Sequence, residues 1–312
     1  MRTAFIKELC ALAEVDERIW LVCGDLGYSV LEEFADRFPK RFLNAGVAEQ
    51  NMTGIAAGLA LSGKTVFTYS IANFPVMRCL EQIRNDICYH NLNVKVVAVG
   101  GGLAYGSHGY THHAVEDLAV MSVMPNITVI APGDPAEARA AARALVATPG
   151  PAYLRLGKAG EPVVHQQPIE FKIGQAIFIR DGSDMTLVST GGMLATVVDA
   201  ARHLSLAGVS ARVLSMPTLV PFDALAITKA AQETRAIMTV EEHGMGGLGT
   251  QTAEVLAALA ASTPFMPVRL GRAPLKSAGS QTQLRSEQGL SVDGIVSSAE
   301  RLLGNLTARS SV

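Results

Sequence analysis

The chain has 312 residues, of which 49% are hydrophobic and 17% charged, and its formal net charge is −2. The length is a prior of about two domains, and the near-neutral charge excludes the basic footprint of nucleic-acid and anionic-membrane binders. No apolar run approaches the roughly 18 residues of a spanning helix, and the apolar surplus suggests surface buried against a partner.

The N-terminal stretch "AFIKELCALAEV" has helical spacing, and its charges at Lys7, Glu8 and Glu14 exclude a signal peptide. "IWLVCGDLG" reads as a buried strand entering a loop, and "MTGIAAGLALSG" as a small-residue helix closed by glycine. "KTVFTYS" is a strand, "MRCLEQIRNDICYHN" a helix, "VKVVAVGGG" a strand, and "AVEDLAVMSVM" a helix. "ITVIAPGD" is a strand, "PAEARAAARALVA" a helix with Pro135 in its first turn, and "PAYLRLGK" a strand. A polar linker with two prolines covers residues 158–174. A second series follows: strands "AIFIRDG", "DMTLVSTGG", "VSARVLSM" and "AIMTVEEHG", with helices "LATVVDAARHLSLAG", "FDALAITKAAQET" and "LGTQTAEVLAALA". Alternating strands and helices predict an α/β fold of two doubly wound, mainly parallel sheets, residues 1–165 and a smaller unit at 172–312. The end, "TARSSV", is expected to fray. Cys10, Cys23, Cys79 and Cys88 show no CxxC spacing and read as buried hydrophobes of a reducing, cytoplasmic compartment.

Ligands of open parallel sheets lie beyond the carboxyl ends of the strands. Topology therefore gathers Asp25, Glu49, Phe74 and the His108–His113 group. Glu49, in "NAGVAEQNM", opens a helix of small residues that lets a ligand come close. A helix-end acid stabilised by the macrodipole is the plain reading; a carboxylate in tight apolar surroundings can also share a proton with a ring nitrogen. Phe74 at a strand-to-helix junction is a core residue or a stacking platform. His108, His112 and His113 crowd one glycine-rich loop, where proton transfer suits them better than zinc, whose spacing and cysteines are missing. No metal ligand is assigned to this chain.

"GVAEQNM", "GLALSGKTVFTYS", "EQIRND", "GYTHHAVEDLAVMSVMPNITVIAPGDPAE" and "GPAYLRLGK" together resemble the pyrimidine-binding half of thiamine diphosphate-dependent transketolases, and "VEEHGMGGLG" resembles their C-terminal domain. The resemblance implies that Glu49 hydrogen-bonds N1′ of the aminopyrimidine and favours its imino tautomer. It implies that Phe74 stacks on that ring and that Asp25 lies near the cofactor at a subunit junction. His112 then handles substrate oxygens and proton transfer, and Arg2, Ser29 and Lys158 meet the sugar phosphate. His108 stands where typical family members have an aspartate contacting a substrate hydroxyl, and Ile71 and Met77 replace aromatics. These departures point away from the usual pentose phosphates toward a modified sugar or another donor–acceptor pair.

The family's GDG motif with a downstream Asn, which holds Mg2+ or Ca2+ and the diphosphate, has no counterpart; "GDL" and "GDP" are the nearest matches. The resemblance thus implies one subunit of a split enzyme whose partner brings the diphosphate-binding domain, in an α2β2 heterotetramer. The alternatives are the β subunit of a 2-oxoacid dehydrogenase first component and a non-catalytic regulatory subunit of the same fold.

Overall fold

The structure is a computed structural model that describes residues 1–309. Helix α1 (Arg2–Val15) buries Phe5, Ile6, Leu9 and Ala13 along one stripe. It is followed by β1 (Ile19–Cys23), α2 (Glu32–Arg37), β2 (Phe42–Asn44), α3 (Glu49–Leu61) and β3 (Thr65–Ile71). Next come α4 (Asn73–Met77), α5 (Leu80–Gln82), β4 (Val94–Val99), α6 (Asp117–Ser122), β5 (Thr128–Ile130), α7 (Pro135–Ala147) and β6 (Ala152–Leu156). The second half contributes β7 (Ile177–Arg180), β8 (Met185–Ser189), α8 (Leu194–Leu206), β9 (Ala211–Ser215) and β10 (Thr218–Val220). It closes with α9 (Ala224–Glu233), β11 (Ile237–Val240), α10 (Leu248–Ala258), β12 (Phe265–Val268), α11 (Gln281–Glu287) and α12 (Val292–Arg309).

The fold is α/β with two mainly parallel sheets, as the alternation of elements predicts. The larger sheet has the order β10-β5-β6-β4-β3-β1-β2 and the smaller β12-β11-β8-β9-β7. Every residue of the central strand β4 is buried, because helices cover both faces of a parallel sheet. Lys95 is the polar exception, and its Nζ donates to the carbonyls of Thr148 and Gly150.

Three features depart from the expectation. The helix predicted over "MRCLEQIRNDICYHN" is broken: α4 and α5 are short, and Ile83–Cys88 is a π-helical turn. The wider turn brings Ile83 and Cys88, five residues apart, onto the same buried side. Strand β10 leaves the second half and pairs antiparallel with β5, so a segment from beyond residue 172 completes the larger sheet. The expected frayed end is helical through Arg309, and residues 310–312 lie outside the described residues. No helix among the described residues is long and apolar enough to cross a membrane.

Candidate active site

β1, β3 and β4 are neighbours in the larger sheet, so the loops after them share one edge. Glu49 is the first residue of α3 and is 4% exposed. Ala48 before it offers no side-chain cap, so the positive end of the helix is left to favour the Glu49 carboxylate. A Cβ added to Gly24 would stand 3.7 Å from Glu49 Cγ, which shows how closely the β1 loop passes. Arg78 Nη1 donates to Oε1 and Oε2 of Glu49, each at 3.0 Å. The same guanidinium lies 4.3 Å from the centre of the Phe74 ring. Phe74 and Arg78 are four residues apart, which brings both onto one side of the short α4 segment. Val47, Ala48, Gln50 and Asn51 complete a cavity of about 460 Å³ that opens beside the pair.

The loop after β4 is pinched at its neck by a bridge between Gly102 and Ala114. Gly100 takes φ +83, and any side chain there would run into the Tyr105 ring. Tyr105 forms the middle of a cluster. Its ring centroid is 5.8 Å from that of His108 and 6.3 Å from that of His112, and Lys158 Nζ is 4.8 Å from it. The two histidine rings are 4.9 Å apart, and His112 meets Phe74 edge-on at 5.1 Å. Asn73 Nδ2 donates to the Thr111 carbonyl at 2.9 Å and ties α4 to this loop. Burial, helped by the charges of His108, His113 and Arg78, lowers the pKa of His112. The neutral imidazole that results can accept a proton. Burial raises the Tyr105 hydroxyl, and the nearby charge of Arg2 opposes that rise.

The structure therefore brings Glu49, Phe74, His112, His108 and Lys158 into one contiguous set, with the Arg2 charge near enough to act on Tyr105. Asp25 is exposed at the same edge with φ 55, and its Oδ1 accepts from Asn44 Nδ2 at 2.9 Å. Ser29 lies apart from the histidines, in a groove with Thr3, Lys7 and Glu33. His113 is turned into the protein, 2% exposed, and does not share the face of His108 and His112. Sequence reasoning missed Arg78 and Tyr105. The spacing of Arg78 one turn after Phe74 was the available signal for the first; Tyr105 carries none beyond its glycine-rich loop.

Among the described residues, Asp134, Glu137 and His165 are close enough to hold an ion. Their oxygens are already engaged: Asp134 accepts from the backbone N–H groups of Ala136, Glu137, Val164 and His165. Glu137 accepts from Gly133 N and lies 2.9 Å from His165 Nε2. This cluster latches the linker onto the start of α7.

Residues 1–160 match the family described as transketolase, pyrimidine binding domain, and residues 174–295 match transketolase, C-terminal domain. The chain belongs to the transketolase family. An apulose-4-phosphate transketolase subunit of Phocaeicola vulgatus is 39% identical over 303 residues, covering 96% of each chain. The 6-deoxy-6-sulfo-D-fructose transketolase subunit SqwH of a Clostridium species is 35% identical over 308 residues, 97% of this chain and 94% of that one. A solved structure described as a split gene transketolase, inactive beta4 tetramer, superposes with a TM-score of 0.88 at 37% identity and 97% coverage of both chains. By contrast, 1-deoxy-D-xylulose-5-phosphate synthase of Desulfitobacterium hafniense matches 99% of this chain over 49% of its own length. This transketolase-family chain thus corresponds, over nearly its whole length, to the separate subunits of split transketolases.

Proposed function

We propose that this chain is the pyrimidine-binding subunit of a split, thiamine diphosphate-dependent transketolase. It comprises a pyrimidine-binding domain at 1–165 and a C-terminal domain at 172–312. The reaction moves a two-carbon ketol unit from a ketose donor to an aldehyde acceptor, both sugar phosphates or modified sugars. A partner subunit contributes the diphosphate-binding domain with its Mg2+ or Ca2+, in a cytoplasmic α2β2 heterotetramer. Tyr28, Val47 and Met77 stand exposed at the site edge and offer apolar surface to that partner.

The observation that carries this reading is the buried Glu49 carboxylate beside the Phe74 ring. The pair accepts a flat, nitrogen-bearing cation: the Arg78 guanidinium bonds to the carboxylate and lies over the ring. An aminopyrimidine asks for the same two contacts, so the residues fit it. Thiamine diphosphate supplies the nucleophilic centre that carries the two-carbon unit. Glu49 offers the acceptor for the ring nitrogen, Phe74 offers a face, and Asp25 borders the cofactor at the subunit seam. His112, held neutral, takes or returns a proton at a substrate hydroxyl. Arg2 and Lys158 hold the anionic end of the sugar, a role not kept for Ser29 in its separate groove, and His108 sets which acceptor is preferred.

The test is Glu49→Gln in the reconstituted complex. Turnover is expected to fall by about 100-fold or more while the assembly stays intact by sedimentation. Turnover near that of the unmodified complex would falsify the role of Glu49. The chain alone, without its partner, is expected to be inactive.

A further inference from the structure

A cavity of about 300 Å³ lies between the two halves, with Gly157 and Ala159 on either side of Lys158 in its wall. Glu49, Phe74, His108, His112 and Lys158 do not line it. Its volume is at the low end for ligand pockets, which gather at seams between domains. Five glycines, Gly101, Gly157, Gly160, Gly191 and Gly192, leave backbone bare along its wall.

Two guanidinium groups line it. Arg155 in β6 is 5% exposed. Its Nε donates to Asp117 Oδ2 at 2.9 Å, and its Nη2 donates to the carbonyls of Ala114 and Glu242 at 2.7 and 3.0 Å. Its Nη1 has no hydrogen-bond partner among the described residues and stands 3.7 Å from where a Cβ on Gly191 would lie. Arg285 comes from α11. Its Nε and Nη2 donate to the Glu242 carboxylate at 2.9 and 2.8 Å, and its Nη2 is 3.2 Å from the place of a Cβ on Gly192. Its Nη1 likewise has no partner among the described residues. Between the two lies the turn Gly191–Met193 that opens α8, a helix of 13 residues without a side-chain cap. The Leu194 N–H is taken by the Gly191 carbonyl and the Gly191 N–H by that of Ala131, which leaves Gly192 to supply the turn's backbone N–H in the wall.

Each carboxylate in the wall has a cationic partner. Both oxygens of Glu242 accept from Arg285 and from Gln281, and Glu161 Oε2 accepts from the Met1 amine. The spare polar atoms in the wall include the Nη1 groups of both guanidiniums, alongside Glu161 Oε1. Two guanidinium groups beside the opening turn of a helix suit a tetrahedral oxyanion.

We propose that this seam binds a phosphate group, either inorganic phosphate or the phosphate end of a small monoester. The bound group bridges β6 of the larger sheet to α8 and α11 of the second half. It therefore tightens the contact between the halves as well as occupying a site.

The test uses the full chain, alone and with its partner subunit, without thiamine diphosphate. Calorimetry and phosphorus NMR follow titrations with inorganic phosphate and with glycerol 3-phosphate, against chloride at matched ionic strength. Saturable binding with a rise in melting temperature is expected; binding of both probes identifies phosphate itself, and binding of the monoester alone identifies a metabolite. Gly192→Asp places a carboxylate where the anion would sit, and a Cβ there meets only Arg285 Nη2, at 3.2 Å. It is expected to weaken binding at least about tenfold. If that variant does not fold, the paired change Glu242→Gln with Arg285→Gln removes the donor without stranding its partner and is expected to do the same. Lys158→Ala is expected to retain binding. The proposal is overturned if neither probe saturates by about 10 mM with folded protein, if both cavity variants bind normally, or if Lys158→Ala abolishes binding. Because the readout involves no turnover, its failure leaves the transketolase reading standing, and the converse also holds.

Discussion

Glu49 and Asp117 share a local design and differ in how it is finished. Each is a buried carboxylate at the first position of a helix, α3 or α6, and each is paired with an arginine. Asp117 is enclosed. Its Oδ2 accepts from the Tyr153 hydroxyl at 2.6 Å and from Arg155 Nε at 2.9 Å, and Arg155 is itself buried and fixed by backbone carbonyls. The neighbouring charges behave alike: Glu241 caps α10 through Leu248 and Gly249, and burial pushes its carboxyl up to about 7. Among the described residues Glu49 has a single ionic partner, and the Arg78 side chain remains 49% exposed just past a five-residue helix. The lesson is that enclosed partners mark architecture, whereas an exchangeable partner marks a carboxylate kept free to meet something else.

The largest expected effect is on the enclosed pair. Asp117→Asn leaves the Arg155 charge buried without its counterion and should cost about 3–5 kcal/mol, read as a lowered urea midpoint. A cost below about 1 kcal/mol would erase the contrast. Arg78→Ala should show the opposite profile. Its half-exposed ion pair is worth under about 1 kcal/mol of stability. Turnover of the complex should stay within about threefold, because the cofactor ring takes over both contacts that Arg78 makes. A large stability loss would make Arg78 another structural arginine. His108→Asp sharpens the exposed side further: stability should move by less than about 0.5 kcal/mol, while the kcat/KM ratio for ordinary sugar phosphates over other acceptors rises roughly 3–10-fold. An unchanged ratio removes His108 from the specificity reading.

The smallest effect concerns the linker latch. Burial alone would lower the pKa of His165, but its hydrogen bond to Glu137 and the charges of Glu137 and Asp134 outweigh this and raise it. A raised histidine contributes stability that is complete below its unfolded value of 6.5 and is lost as pH rises through the folded value. Urea midpoints of the unmodified chain should therefore fall across that window, and His165→Gln should flatten the trend. Parallel curves for the two proteins would mean that the latch does not titrate.

Much of the larger sheet was legible because full burial leaves continuous apolar runs such as those of β3 and β4. β10 was not: it is three residues long, and its partner β5 belongs to the other half of the chain. β12 contains Pro267, which an edge strand tolerates but a sequence reading takes as a break. Helices α11 and α12 fall outside the elements that the alternation predicts. At the candidate site, Glu49, Phe74 and His112 stand out because each interrupts a stretch of different character. Arg78 passes for an ordinary helix cation. Asp117 and Arg155 read as a helix start and a strand residue, since the contact that joins them crosses between elements and leaves no local spacing to detect.

The placement of β10 bears on how the protein is made. On a ribosome, β5 and β6 emerge well before Thr218, so one margin of the larger sheet stays bare during elongation. At about 5–20 residues per second that interval lasts several seconds. An open strand margin invites mispairing with other nascent chains. Cells producing this protein should therefore depend on chaperones most during synthesis of the segment between Leu156 and Val220.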